Sequence, residues 1–366
     1  MALNTVGDAV GLDYWLQWQV LVCALIIIIP LGISLKITIR SSGNGHQQLK
    51  SCDLWLPCWK NLHPKWLLLY RVIAFCSMAF LLYQTVASFG LFVFYFYTQW
   101  TFTLVLLYFA IGIIVSSRGC SMYSKKPSTQ VADGDTLSKK DHHEKANNFT
   151  TNVKAIETKS LSGQEAGALE ILMHSIYHAC AGAVVLTDLV FWFILVPLMS
   201  GKDFKLTVLI GLMHSVNVVF LLLDSAFNNH PFPWSRFTYF VLWTGAYIIF
   251  QWTIHACGVT WWPYPFLELN TPWAPAWYFG MALFHVPCYG LYALLVKAKD
   301  FVFSRIFPHA FLRISSVRLI GAPWMLIRGH PSQRCATLFL LDRWWFAFRS
   351  CFRLLVVSVV AHPSQQ

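Results

Sequence analysis

Long apolar runs, not alternation, dominate this chain. Stretches at about 14–35, 66–89, 91–117, 172–199, 206–227, 237–259 and 274–296 carry few charges, and each has roughly the 20 residues that a helix needs to cross about 30 Å of hydrocarbon. The pattern predicts an all-α fold, a polytopic transmembrane helix bundle of about seven spans. Gly90, between the second and third runs, marks a tight reversal.

The text between the runs is polar, and its charge is sided. Lys36, Arg40, Lys50, Lys60 and Lys65 follow the first run with only Asp53 against them, and Lys and Arg again outnumber the acids at 118–169. Such residues concentrate in cytoplasmic loops. Both loops are therefore expected in the cytosol, and alternation puts the N-terminus outside or in a lumen and the C-terminus, with Lys297, Lys299 and Arg305, in the cytosol. The composition of 118–169 reads as disordered, and the Trp- and Tyr-rich loop at about 261–273 reads as an outer interface. Arg71 is expected to snorkel to the basic interface.

Three regions follow: an extra first span with a basic cytosolic loop at 1–65, a six-span core at 66–299 interrupted by the loop at 118–169, and a basic tail at 300–366. Arg-punctuated text such as Arg313, Arg328 and Arg343 makes an eighth span costly, so the tail reads as interfacial or irregular. The orientation is checkable at Asn148-Phe149-Thr150, an N-glycosylation sequon that stays unmodified in the cytosol. An endoglycosidase-sensitive glycan on Asn148 of expressed protein would reverse the whole topology.

Composition changes the picture little. Of 366 residues, 57% are hydrophobic and 12% charged, too apolar for an ordinary soluble domain. The net charge of +11 is the loop bias just described rather than a nucleic-acid footprint, so membrane lipids are the implied partners. The ten cysteines show no paired spacing, which argues against a disulfide framework. Cys52, Cys58 and Cys120 flank the runs on the basic side, where palmitoylation is an option. No basic n-region precedes the first run, which reads as a retained span. The endomembrane system and the plasma membrane fit equally, and no nucleotide-binding motif implies an organic cofactor.

Polar residues inside apolar runs carry the chemical information, because hydrocarbon makes them expensive to keep. His214 lies well inside the fifth run, with Asn217 on the same helix face. A neutral imidazole can take a proton, and an amide can donate to a developing oxyanion. The plain alternative is a hydrogen bond between helices. His174 and His178 also share a face, but no acidic cluster or H-E-x-x-H motif accompanies them; they read as interface histidines, and no metal site is expected. His255, His285 and Asp188 are each able to orient a catalytic base. Thr101, about ten residues into the third run, reads by itself as a threonine bonded back to a carbonyl one turn earlier.

The runs F-Y-T-Q-W-T-F-T-L-V at 96–105, L-M-H-S at 212–215 and I-H-A-C-G-V-T-W-W-P-Y-P-F-L-E at 254–268 resemble the Rolling-stone and androgen-induced-protein superfamily. Its plant branch is the nearest in character, and the resemblance covers about 66–299. In members that hydrolyse fatty acid esters of hydroxy fatty acids, a membrane-embedded threonine is the nucleophile and a histidine its partner. By motif, W-T-F corresponds to Thr101 and M-H-S to His214. The family's Met-His-Thr is Met-His-Ser here, and the loop before Pro-Tyr-Pro-Phe is one residue longer. The resemblance thus implies a lipid-ester hydrolase with Thr101 and His214 as catalytic residues and a lipid ester as substrate; Asn217, His255 and Asp188 are candidates for an oxyanion donor or orienting group. The alternative is a non-enzymatic membrane organiser. A seven-span receptor finds no Asp-Arg-Tyr after the third run and no N-P-x-x-Y in the seventh.

Overall fold

Helix is the regular structure of the residues described by the computed structural model, which are 11–43, 49–60, 62–125, 164–199 and 206–312. The main helices are α1 (Trp18–Gly43), α2 (Pro64–Phe89), α3 (Tyr97–Lys125), α4 (Ala168–Val190), α5 (Val208–Met213), α6 (Val216–Phe227), α7 (Phe237–Ala256) and α8 (Ala274–Ile306). Among the described residues six candidate spans are long and apolar enough to cross a membrane: α1, α2, α3, α4 with its extension to Leu195, the α5–α6 stretch, and α8. The remaining expected span, α7, has 20 residues, but its Trp, Tyr, Thr, Gln and His content keeps it out of that group.

The element ends follow from local chemistry. Pro64 opens α2 where a missing N–H is harmless, and the His63 side chain accepts the Lys65 N–H. Gly90, at φ 72°, ends it. A 3₁₀ turn at Leu91–Tyr95 follows, so Thr101 is the fifth residue of α3 rather than ten residues into a span. Helix α3 runs on to Lys125 and α4 begins at Ala168, which trims the expected loop at 118–169 from both sides. Its middle, 126–163, and the tail beyond 312 lie outside the described residues.

Helix α4 is the axis, with α3, α7 and α8 packed on it. Ala179, Ala181, Gly182 and Ala183 make it slim enough for close approach. Phe240 of α7 lies over Gly182, where a Cβ would collide with its ring. The N-terminus of α4 is fixed by Glu170, whose Oε2 accepts the Gly167 N–H at 2.6 Å and whose Oε1 accepts from Ser51 Oγ at 2.5 Å.

Ser51 belongs to 49–60, expected as part of a solvated loop and found folded into the basic end. Cys52, Leu54, Trp55 and Cys58 are buried, the Cys58 N–H donates to Phe227 O at 2.8 Å, and the Lys60 N–H donates to Ala310 O at 2.8 Å. Lys299 Nζ donates to Ser225 O and Asn228 O at 2.9 and 3.2 Å, satisfying carbonyls at the end of α6. Burial pushes the Cys52 and Cys58 thiols up to about 11, so at about pH 8 neither is a reactive thiolate. Iodoacetamide is expected to label the exposed Cys257 of folded protein and to reach Cys52 and Cys58 on denaturation alone. Labelling of Cys58 at the rate of Cys257 would show that this segment opens readily.

Candidate functional site

The fifth expected span is broken where its histidine sits. His214 (φ −101°, ψ 15°) and Ser215 (φ −140°, ψ −36°) depart from helical geometry between α5 and α6. The Trp192 indole N–H donates to the His214 carbonyl at 3.2 Å, and Phe191 stacks on the imidazole at 3.6 Å with the planes 1° apart. Both aromatics come from Phe191–Leu195, a π-helical turn that continues α4. Such turns concentrate at functional sites. Two helix irregularities thus meet at one residue: the break carries His214, and the π-turn holds both its ring plane and its backbone carbonyl. His214 Nδ1 is buried without a hydrogen-bond partner.

His214 lies on the wall of a cavity of about 200 Å³ bounded by α1, α3, α4, α7, α8 and the Tyr264–Leu267 loop. Its polar row runs from the Tyr97 hydroxyl to Thr244 Oγ1 at 2.7 Å and on to His285 Nε2 at 3.0 Å. His285 Nδ1 is 2.7 Å from the Met281 carbonyl. The Tyr264 hydroxyl accepts the Tyr97 N–H at 3.0 Å, so the P-Y-P-F loop caps α3 and closes one end of the cavity. Burial pushes that phenol up to about 12, and it stays protonated.

Thr101 stands one turn beyond Tyr97, fully buried, with a hydroxyl that has no hydrogen-bond partner. The expected bond back to a carbonyl is not made. Thr101 lies beside the Tyr97 hydroxyl but behind the cavity wall, which Tyr97 and Thr98 form. No hydrogen bond joins it to His214.

The other candidates divide. Asn217 is fully buried; its Oδ1 accepts the Val218 N–H at 2.8 Å and its Nδ2 has no partner. Asp188 approaches the Asn217 amide without closing a hydrogen bond on Nδ2. His255 goes elsewhere, stacked on Trp262 at 4.2 Å and packed against Tyr14 and Trp15. His174 and His178 are buried rather than interfacial, 3.2 Å apart through their Nε2 atoms, with His174 held to Pro231 O and His178 Nδ1 to the Tyr289 hydroxyl. Among the described residues no group of three or more His, Cys, Asp or Glu is arranged to hold a metal.

Arg71 overturns its snorkelling assignment. It is 0% exposed, and its Nε donates to Asp224 Oδ1 at 3.0 Å. Its Nη1 reaches Leu54 O at 3.0 Å and Ser116 Oγ at 2.6 Å, while Tyr108 donates to Asp224 Oδ2 at 2.5 Å. Sequence reading passed over Asp224, although an acid within the apolar run L-L-L-D-S is itself a signal. Phe191 and Trp192 carried no such signal, since aromatics abound in these runs.

No protein-family model, curated protein or solved structure matches this chain. Fold and site define a class: the six long apolar helices among the described residues fit a multi-pass membrane protein, with a mostly apolar cavity that carries a short polar row.

Proposed function

We propose that this multi-pass membrane protein hydrolyses a lipid ester of the fatty acid–hydroxy fatty acid type, with Thr101 as nucleophile and His214 as general base. The observation that carries the reading is His214 itself: an imidazole clamped at a helix break, on a cavity wall, with Nδ1 unpartnered. An unpaired ring nitrogen at a cavity wall is free to accept a proton. In the reaction the Thr101 oxygen attacks the ester carbonyl while its proton passes to His214. The alkoxide of the hydroxy acid leaves with that proton, and water, activated by the same histidine, releases the acyl group from Thr101. Asn217 Nδ2, unpaired one turn along, is the candidate oxyanion donor, with Asp188 orienting it. His255, packed elsewhere, has no part in this scheme. Catalytic hydrogen bonds are often open before substrate arrives, which accommodates the absence of a direct Thr101–His214 bond.

The test is labelling of purified protein by a lipid-chain fluorophosphonate, with the adduct expected on Thr101. A non-enzymatic membrane organiser would take no label. An adduct on another residue would move the nucleophile.

A further inference from the structure

Helix α1 packs on α7 and α8, with Leu31, near its middle, seated on Gly245 of α7. Val20 and Cys23 near one end, and Ser34 towards the other, are buried; Thr38 Oγ1 lies 3.0 Å from Thr238 Oγ1. Between these points Ile27, Pro30 and Leu31 are only half-buried and line the cavity, while Leu25, Ile28 and Ile29 face outward. The cavity therefore lies behind a helix whose opposite face is apolar and outward, the side from which an apolar chain would approach.

The lining limits what the chain can carry at its head. No Asp, Glu, Lys or Arg is among the described residues that line the cavity, so an ionised head would be buried without a counter-charge. The Met281 carbonyl can only accept, which assigns the proton of His285 to Nδ1 and leaves Nε2 of the neutral ring as an acceptor. Thr244 then donates to Nε2 and accepts from the Tyr97 hydroxyl. Every hydrogen of the row is committed, and what it still offers is oxygen lone pairs. Pro30 adds a further acceptor: it has no N–H for the Ile26 carbonyl, and both residues lie on the cavity wall. The size is limiting too, since an apolar cavity of roughly 150 Å³ holds one benzene. At about 200 Å³ this one takes a stretch of a single chain and excludes a fused-ring sterol.

We propose that this cavity binds a single-chain lipid with a neutral, hydrogen-donating hydroxyl head, the head on the Tyr97–Thr244–His285 row and the chain between α1 and the α7–α8 pair. The site is one of binding and stands whether or not an ester is cleaved. To separate the two, it is tested in the Thr101→Ala full chain as well as in wild type, reconstituted in phosphatidylcholine nanodiscs. Diazirine-bearing probes are compared: a long-chain alcohol, the alkyl sulfate of the same chain, and a sterol. The alcohol is expected to crosslink to the Ile26–Leu31 part of α1 and to α8, roughly tenfold more than either of the others, in both proteins. Ala282→Phe, which fills the cavity, should remove these crosslinks. Thr244→Val should abolish the preference for alcohol over sulfate, and Thr244→Ser should keep it, which preserves the test if the Phe variant fails to fold. Equal crosslinking by the sulfate, preference for the sterol, or a preference that survives Thr244→Val would overturn the proposal. Loss of fluorophosphonate labelling alone would sink the hydrolase reading and leave this one intact.

Discussion

Arg71→Ala is expected to destabilise the bundle by about 3–5 kcal/mol, because it leaves a buried carboxylate without its counter-charge. The guanidinium ties four segments together: its own α2, Asp224 on α6, Leu54 in the 49–60 segment, and Gly112 and Ser116 on α3. With it gone, Asp224 keeps only the Tyr108 and Asn228 donors. Thermal unfolding in detergent measures the loss, and Arg71→Met combined with Asp224→Leu should recover much of it, since well-packed apolar pairs often match or exceed a buried ion pair. An unfolding temperature for Arg71→Ala equal to wild type would show that the pair contributes nothing. The guanidinium and the Asp224 carboxylate are both satisfied, which marks the pair as a fastening of the fold. The groups around His214 are the opposite case.

Thr101→Ala and His214→Ala should each lower ester hydrolysis by about 10²–10⁴-fold, and the double variant should be little worse than either, because residues acting as a unit are strongly non-additive. Stability is expected to move the other way from the Arg71 case. Thr101 Oγ1 has no partner to lose, and removing an unsatisfied buried hydroxyl is neutral or mildly favourable; His214→Ala also gives up the Phe191 stack, so the stability comparison rests on Thr101→Ala. Near-wild-type melting combined with lost turnover would separate a chemical role from a structural one. Phe191→Leu should give an intermediate loss of rate, through a ring no longer held in its plane. Wild-type hydrolysis by Thr101→Ala in purified membranes would show that another nucleophile is at work.

The helical bundle was legible in the order of residues because hydrocarbon thickness sets the length of an apolar run and charge cannot stay inside it cheaply. For the same reason His214, Asn217 and Asp188 stood out. Pro64 and Gly90 announced their helix ends through backbone constraints that act locally. What tertiary structure alone decided was the destination of each polar group. Arg71 is next to a basic loop in sequence, yet it meets Asp224, 153 positions away, because a buried guanidinium needs a carboxylate more than a short reach to water. The break at His214 depends on an indole and a phenyl ring presented by a π-turn about 20 residues earlier, and no local preference of Met-His-Ser encodes that turn. Thr101 and His214 were set near the same cavity by the packing of α3 and α6 on α4 and of the π-turn on His214, and the residues actually joined there, Tyr97, Thr244 and His285, come from three different helices. Hydrogen-bond complementarity across a bundle is a property of which faces meet, and the faces meet only once α4, slim at Ala179–Ala183, has let its neighbours close around it.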